Sequence, residues 1–317
     1  MITRPNVKIN LGLHVLRKRE DGYHDLETLF VPYHGIYDVL EIISGDDYSQ
    51  TLGVIAGYDR KCVAQAISPD GKLMITIARK EGVDWDPLKD LTAKAYFLLA
   101  EDFKLPPVKI FLEKLSPVGA GLGGGSADAA FALQMLSQLF GLNLPAATLA
   151  GYAARLGSDC PFFIYNTPMM GTGRGEVLTP FDLDSIIGPE YEIRVTVPQG
   201  ISVSTADAYR GIVPREAAAP AQAAAPAQAA GHAQAAGPAQ AAGPAQAAGH
   251  ARPDRASLAD ILRTPVTAWK DSLVNDFEAT VFAKYPALEA IKNNLYKEGA
   301  VYASMSGSGS ALFGLFR

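Results

Sequence analysis

Cysteine is nearly absent: the 317 residues contain only two, Cys62 and Cys160. They stand in no metal-ligand spacing and build no disulfide framework, which excludes a disulfide-stapled fold and points to a reducing compartment. Long apolar runs are missing as well, and none approaches the roughly 20 residues needed to cross a bilayer. The N-terminus has no basic segment followed by an apolar core, so it does not read as a signal peptide. Positive charge is not in excess, with 28 Lys and Arg against 33 Asp and Glu. A nucleic-acid surface calls for a clustered basic patch, so nucleic acid is not expected as a partner. No Cys or Ser constellation for nucleophilic catalysis stands out, and Cys160 reads as a small buried residue. What remains is a cytoplasmic protein with 48% hydrophobic residues, enough to pack about two domains.

Glycine, by contrast, is concentrated. Pro117-Val118-Gly119-Ala120-Gly121-Leu122-Gly123-Gly124-Gly125-Ser126 holds five glycines just before a helical pattern at Ser126 to Phe140. Without Cβ atoms such a loop can turn its N–H groups inward around an anion, and a helix N-terminus adds unpaired donors and partial positive charge. Gly119, Gly121 and Gly124 satisfy G-x-G-x-x-G, but a dinucleotide site also needs an acidic residue about 20 positions on. None occurs between Asp128 and Asp159. A P-loop needs a lysine where Gly125 stands. Both identities fail on a missing residue. A phosphate cradle and a plain flexible loop stay open.

One segment differs from the rest. Ala217 to Arg252 is six tandem hexapeptides of the form Ala-Ala-(Ala/Gly)-(Pro/His)-Ala-Gln, the last ending in Arg. It offers only alanine methyls to a core, and proline breaks any long helix, so it reads as a disordered or loosely extended insertion. Elsewhere strand-like stretches (Val7–Val15, Asp38–Ile43, Val108–Leu112, Glu192–Val197, Val301–Ala303, Ala311–Phe316) mix with helical ones (Leu91–Phe103, Pro145–Leu156, Tyr285–Lys297). Mixed order without strict βαβ repetition predicts an α+β protein in two halves, residues 1–166 and 167–317.

Candidate chemistry is scattered. Lys8 lies mid-strand, either on the solvated face of an edge strand or as a cation for a ligand. Asp159 is either a turn or cap residue or a carboxylate needing a partner beside Cys160-Pro161-Phe162-Phe163. If the two meet beside the glycine loop they supply a cation and a base for phosphoryl transfer, but spacing alone does not bring them together. Asp21-Gly22-Tyr23-His24 reads as a hairpin tip or as part of a nucleobase site. Gly171 to Glu176 reads as a mobile loop.

Together these residues resemble a known family. Pro117 to Ala130, Asn6 to Leu11 and Ser304 to Ser310 are similar to the three signature motifs of the GHMP kinases. Within that superfamily, Asp21 to His24, Leu29-Phe30, Leu156 to Phe163 and Gly173 to Pro180 resemble the branch acting on a cytidine-diphosphate-linked methylerythritol. The resemblance covers essentially the whole chain outside the hexapeptides. It implies a ribosomal-protein-S5-like N-terminal nucleotide domain, a ferredoxin-like C-terminal domain and an active site in the cleft between them. The implied reaction is ATP-dependent phosphorylation of the substrate's 2-hydroxyl in the non-mevalonate route to isoprenoid precursors, by a monomer or homodimer.

By the same resemblance Asp159 takes the hydroxyl proton and Lys8 orients it and stabilises charge. Pro117, Val118, Gly119, Ala120, Gly121, Leu122, Gly123, Gly124, Gly125, Ser126 and Ala127 hold the ATP phosphates, with Mg²⁺ beside Ser126. Asn10 and Thr205 contact substrate, and Tyr23, His24, Phe30 and Tyr209 surround the cytosine. Three departures stand out: Asp90-Leu91 in place of Asn-Leu, the hexapeptide insertion, and an end at Arg317 where many relatives continue. The alternatives are a GHMP kinase for mevalonate or homoserine, which carry no base to stack, and a non-catalytic nucleotide-binding member.

Overall fold

The computed structural model describes residues 1–214 and 256–317, so the hexapeptide insertion at 217–252 lies outside the described residues. The N-terminal half is built on a five-stranded sheet of β1 (Ile2–Thr3), β4 (Val39–Ser44), β7 (Val108–Lys114), β6 (Leu73–Arg79) and β5 (Val63–Ile67), in that spatial order. Only β6 and β7 pair in parallel, and between them runs the crossover that parallel strands require, including helix Leu91–Asp102. That helix packs with helices Gly124–Leu139 and Ala146–Leu156 over the sheet. The shared core takes in Ile75, Ile110, Tyr96, Leu133, Leu136 and Phe163, each no more than 1% exposed. Each aliphatic side chain buried this way contributes about 1.5–3 kcal/mol. Ala129, Ala130 and Ala132 are fully buried, and their small side chains let the glycine-led helix lie close to its neighbours.

A second sheet carries the site. The long hairpin of β2 (Asn6–Lys18) and β3 (His24–Tyr37) is extended by β8 (Met169–Thr172) and β9 (Val177–Pro180), in the order β2-β3-β8-β9 and antiparallel throughout. The expected division at 166/167 therefore cuts through one hydrogen-bonded unit, because ladder bonds tie residues 169–180 to the first half. Gly171 to Glu176 is the end of β8 and the turn of this β8–β9 hairpin, fastened by the Leu26 amide donating to the Gly173 carbonyl at 2.7 Å. That differs from the expected mobile loop, since the register with β3 holds it.

The C-terminal half is an antiparallel sheet ordered β10 (Glu192–Thr196), β12 (Leu312–Phe316), β11 (Tyr302–Met305), packed with helices Phe277–Lys284 and Pro286–Lys297. The protein is α+β in two halves, as its composition of elements predicts. β2 joins them: it is an edge strand of its sheet, yet Leu13 bridges Asn275, donating to the Val274 carbonyl and accepting from the Asp276 amide. At Lys8 the glycine loop covers the same edge, the Leu122 carbonyl accepting from the Lys8 amide and the Gly121 carbonyl from its ammonium, so Lys8 is 3% exposed rather than on a solvated face. Among the described residues no helix is long and apolar enough to cross a membrane.

Candidate active site

The glycine run leaves the end of β7 and enters its helix earlier than its composition suggests. Gly123 is the N-cap with φ of +72°, and the helix begins at Gly124 rather than Ser126. The left-handed turn at Gly123 reorients the chain, so the amides of Gly124, Gly125 and Ser126 form the first turn, where helix donors have no intrahelical partner. Gly121 also has a positive φ, +77°, and packs against the loop that precedes β12: a Cβ there would lie 2.2 Å from the Ser306 carbonyl oxygen. The two loops meet at glycine because nothing larger fits.

This loop is a wall between two cavities. One of about 630 Å³ and one of about 330 Å³ both have Gly119, Gly121 and Gly123 in their linings. Pro117, Val118, Ala120, Gly124, Gly125 and Ser126 line only the smaller, together with Trp85, Asp90, Leu91 and Lys114. Leu122 and Ala127 line neither, being 1% and 0% exposed; Leu122 contributes its carbonyl, which accepts from the Lys8 amide at 2.9 Å.

Lys8 and Asp159 meet in the larger cavity, Nζ to Oδ2 3.3 Å. Asp159 stands at the N-cap of helix Cys160–Tyr165, but its side chain makes no cap hydrogen bond, so the carboxylate faces Lys8. The Lys8 ammonium also donates to Asn10 Oδ1 at 2.5 Å and to the Gly121 carbonyl at 3.0 Å. Asn10 in turn donates to Thr28 Oγ1 at 3.0 Å, which donates to the Gly12 carbonyl at 2.6 Å. The ammonium is thus aimed by acceptors from β2 and the glycine loop, and the Phe30 ring lies 5.4 Å beneath it. Asp159 is the more open partner, its side chain 34% exposed against 4% for Lys8.

The far end of this cavity is aromatic. His24 and Tyr209 stack with centroids 4.7 Å apart and planes 19° from parallel, Tyr209 abutting Phe277 edge-on at 4.8 Å. No ring fits between His24 and Tyr209 at that spacing, so a base would lie on their outer faces or part them. Burial lowers the His24 pKa, with Lys18 adding to the effect, which favours the neutral imidazole. Burial, with the Asp159 charge, raises the Tyr209 phenol. Tyr23 is 56% exposed, and the Arg174 guanidinium sits 4.9 Å over its ring. Thr205 pairs with Ser308 at 3.2 Å across the chain segments of the C-terminal half. Asn10, Tyr23, His24, Phe30, Thr205 and Tyr209 all line this cavity.

Three residues near the site escaped the sequence. Arg174 lies in the β8–β9 turn, and only the pairing of that hairpin with β3 brings it to the cavity. Trp85 lines the smaller cavity and donates its indole N–H to Asp90 Oδ2 at 3.1 Å. Lys114 is buried under the glycine loop, donating to Asp38 Oδ2 at 2.5 Å, Asp128 Oδ2 at 2.6 Å and Ser116 Oγ at 3.3 Å. Burial would lower the Lys114 pKa, but the Asp128 and Asp38 charges outweigh it and raise it above the ordinary lysine range. Asp38 also accepts from the amides of Leu115 and Ser116 at 2.7 Å each, clamping the strand end that feeds the loop. Burial pushes the Cys160 thiol up to about 12, so it is not a thiolate nucleophile.

A glycine loop dividing two pockets, with a lysine–carboxylate pair beside it, defines a small-molecule kinase. The GHMP kinases N terminal domain model matches residues 90–167 and the GHMP kinases C terminal model residues 257–317. The chain is 42% identical to a 4-diphosphocytidyl-2-C-methyl-D-erythritol kinase of Bacteroides fragilis, over all of this chain and 92% of the relative. It is 39% identical to the kinase of that name from Azobacteroides pseudotrichonymphae, over all of this chain and 94% of the relative. A crystal structure of 4-(cytidine 5'-diphospho)-2C-methyl-D-erythritol kinase matches with a TM-score of 0.65 and 28% identity, covering 99% of this chain and 90% of the other. A homoserine kinase from Cytophaga hutchinsonii, at 15% identity and TM-score 0.55 over 98% of this chain and 84% of that one, shares the fold alone. The chain belongs to the GHMP kinases, and within them to the 4-diphosphocytidyl-2-C-methyl-D-erythritol kinase family.

Proposed function

We propose that this protein transfers the γ-phosphoryl group of ATP to the 2-hydroxyl of 4-diphosphocytidyl-2-C-methyl-D-erythritol. The observation that carries the reading is the Lys8–Asp159 pair, 3.3 Å apart in the cavity that shares the glycine-loop wall with its neighbour. ATP phosphates lie on the loop from the side of the smaller cavity; the acceptor alcohol enters the larger one. Asp159 accepts the hydroxyl proton as the oxygen bonds to the γ-phosphorus and the bridging P–O bond breaks toward ADP. Lys8 orients the carboxylate and offsets the negative charge shared by the transferring oxygens. Asn10 and Gly121, which accept from its ammonium, keep it from swinging away. Such catalysis rests on positioning and charge, and the site holds both partners before substrate arrives.

The aromatic end supports the choice of substrate. Tyr23, His24 and Tyr209 offer ring faces suited to cytosine, which mevalonate and homoserine lack, while Arg174 adds a cation for an anionic ligand. Among the described residues no group of three or more His, Cys, Asp or Glu could hold a metal. Ser126 presents a single hydroxyl at the smaller cavity, which fits Mg²⁺ carried in by ATP and ligated mainly by phosphate and water. There it would neutralise charge on the β- and γ-phosphates. The cytoplasmic reading rests on Cys62 and Cys160, which are buried and unbridged.

The test is ADP release with the cytidine-linked alcohol against mevalonate and homoserine. Only the first should support turnover; equal or preferred use of another alcohol overturns the assignment. Asp159→Asn should abolish transfer while ATP still raises thermal stability as in the parent. Full activity in that variant removes Asp159 as the base.

A further inference from the structure

We propose that Thr28 is a positioning residue for Lys8, acting through Asn10 by a chain of hydrogen bonds that runs in one direction only. This role rests on the phosphoryl transfer proposed at Lys8 and Asp159, and it concerns how the ammonium is kept in aim.

The chain of bonds starts at a defect in the β2–β3 ladder. Leu11 pairs with Leu29 and Leu13 with Thr28, so Gly12 is an extra residue on β2, a bulge with φ of +74°. A bulged residue is left without a ladder partner, and a buried carbonyl still needs a donor. The Thr28 hydroxyl supplies it, donating to the Gly12 carbonyl at 2.6 Å. Thr28 is fully buried, and its strand lies between two others, paired with Leu13 on one side and Gly171 on the other. The hydroxyl is therefore held on a fixed backbone.

A hydroxyl has one proton to give. With that proton on Gly12, Thr28 Oγ1 can only accept, and it accepts from Asn10 Nδ2 at 3.0 Å. The donor end of the Asn10 amide is thereby assigned to Thr28 and its oxygen to the opposite side. There the Lys8 ammonium, which can only donate, lies 2.5 Å from Asn10 Oδ1. The backbone of Asn10 is held separately, its N–H donating to Ser306 Oγ at 3.2 Å. Thr28 thus sets the direction of the amide. Asn10 is 2% exposed, so without the hydroxyl its Nδ2 would be a buried donor with no acceptor. Turning to find one carries Oδ1 away from the ammonium, which then loses an anchor that keeps it 3.3 Å from Asp159.

The experiment separates the hydroxyl from the volume of the side chain. Thr28→Val keeps the shape and removes the hydroxyl, Thr28→Ser keeps the hydroxyl, and Thr28→Ala has neither. With the cytidine-linked alcohol, kcat should fall about tenfold or more in Thr28→Val and Thr28→Ala, the scale of a misaimed catalytic group. Thr28→Ser should stay near the parent, and the KM for ATP should hold at the parent value in all three. A packing role would reverse the order, with Thr28→Val the better enzyme and Thr28→Ser the worse. Asn10→Ala supplies a second readout: once the amide is gone, adding Thr28→Val should lower kcat no further, because residues acting through one chain of bonds do not add. Parent-like kcat in Thr28→Val, or a double variant in which the two losses multiply, overturns the proposal with the transfer intact. Should Thr28→Val fail to fold, equal kcat in Thr28→Ser and Thr28→Ala overturns it instead. A parent that releases no ADP with the cytidine-linked alcohol removes the transfer itself, and this role with it.

Discussion

Replacing Gly121 by alanine should damage both stability and turnover, and the structure sets the size of each effect. Gly121 has φ of +77°, where an alanine costs about 1–2 kcal/mol because its Cβ crowds the following carbonyl. The added methyl would also lie 2.2 Å from the Ser306 carbonyl oxygen and 3.1 Å from both the amide nitrogen and carbonyl oxygen of Gly309. These are backbone atoms, so a whole loop must move, and forced repacking of that kind costs about 1–3 kcal/mol more. The sum of about 2–5 kcal/mol corresponds to a fall in Tm of roughly 5–15 °C for domains of this size. The Gly121 carbonyl accepts from Lys8 Nζ at 3.0 Å and from Ser306 Oγ at 3.1 Å, so its displacement also moves Lys8 away from Asp159. A shift of about 1 Å can cost on the order of 10²-fold in rate. The assay is thermal unfolding by circular dichroism beside steady-state ADP release, with Gly151→Ala as control. Gly151 lies inside helix Ala146–Leu156, where an added methyl would meet nothing within 4 Å, so alanine there should stabilise by about 0.5–1 kcal/mol. The reasoning is refuted if Gly121→Ala unfolds within a degree of the parent and keeps kcat/KM within twofold.

Two further predictions concern charge. Lys114→Met leaves the fully buried Asp38 and Asp128 side chains without their shared cation, and breaking a buried pair this way should destabilise by about 3–5 kcal/mol in urea unfolding; a loss under 1 kcal/mol would show the cluster to be dispensable. The His24 pKa lies below its unfolded value through burial, so the unfolded chain takes up the proton first and acid works against the native stack with Tyr209. The KM for the cytidine-linked substrate should be flat from about pH 7 to 9 and climb below the ordinary histidine range near 6.5. His24→Phe, which keeps a ring but no titratable nitrogen, should lose that climb; an unchanged profile in the variant would assign it to another group.

Much of the secondary structure is legible in the sequence because its signals are local. Helix Ala146–Leu156 follows Pro145 and stops at Gly157, as its sequence predicts, and strands such as β7 and β12 lie within two residues of expectation. Helix Gly124–Leu139 starts two residues before the predicted Ser126, because glycine's poor helix propensity conceals a first turn in which Gly124 is buried against Ser116. Hairpin β8–β9 is hidden for a related reason: Gly171 to Glu176 carries no hydrophobic period, and its order comes from register with β3, contributed from far away in the chain. The same gap conceals Arg174, whose neighbours in sequence say nothing of Tyr23.

The sequence by itself determined the kind of chemistry. Five glycines leading into a helix can hold phosphate wherever they occur, because the property belongs to backbone amides and to the missing Cβ atoms, and it needs no distant partner. Whether the scattered lysine and carboxylate gather beside those glycines was decided only in three dimensions. Lys8 is a surface lysine or a buried one depending on whether the glycine loop folds over the edge of β2, and Asp159 is a helix cap or a partner for that lysine depending on where its carboxylate turns. Those outcomes rest on contacts between segments that share no local signal, so only the packed chain could choose between them.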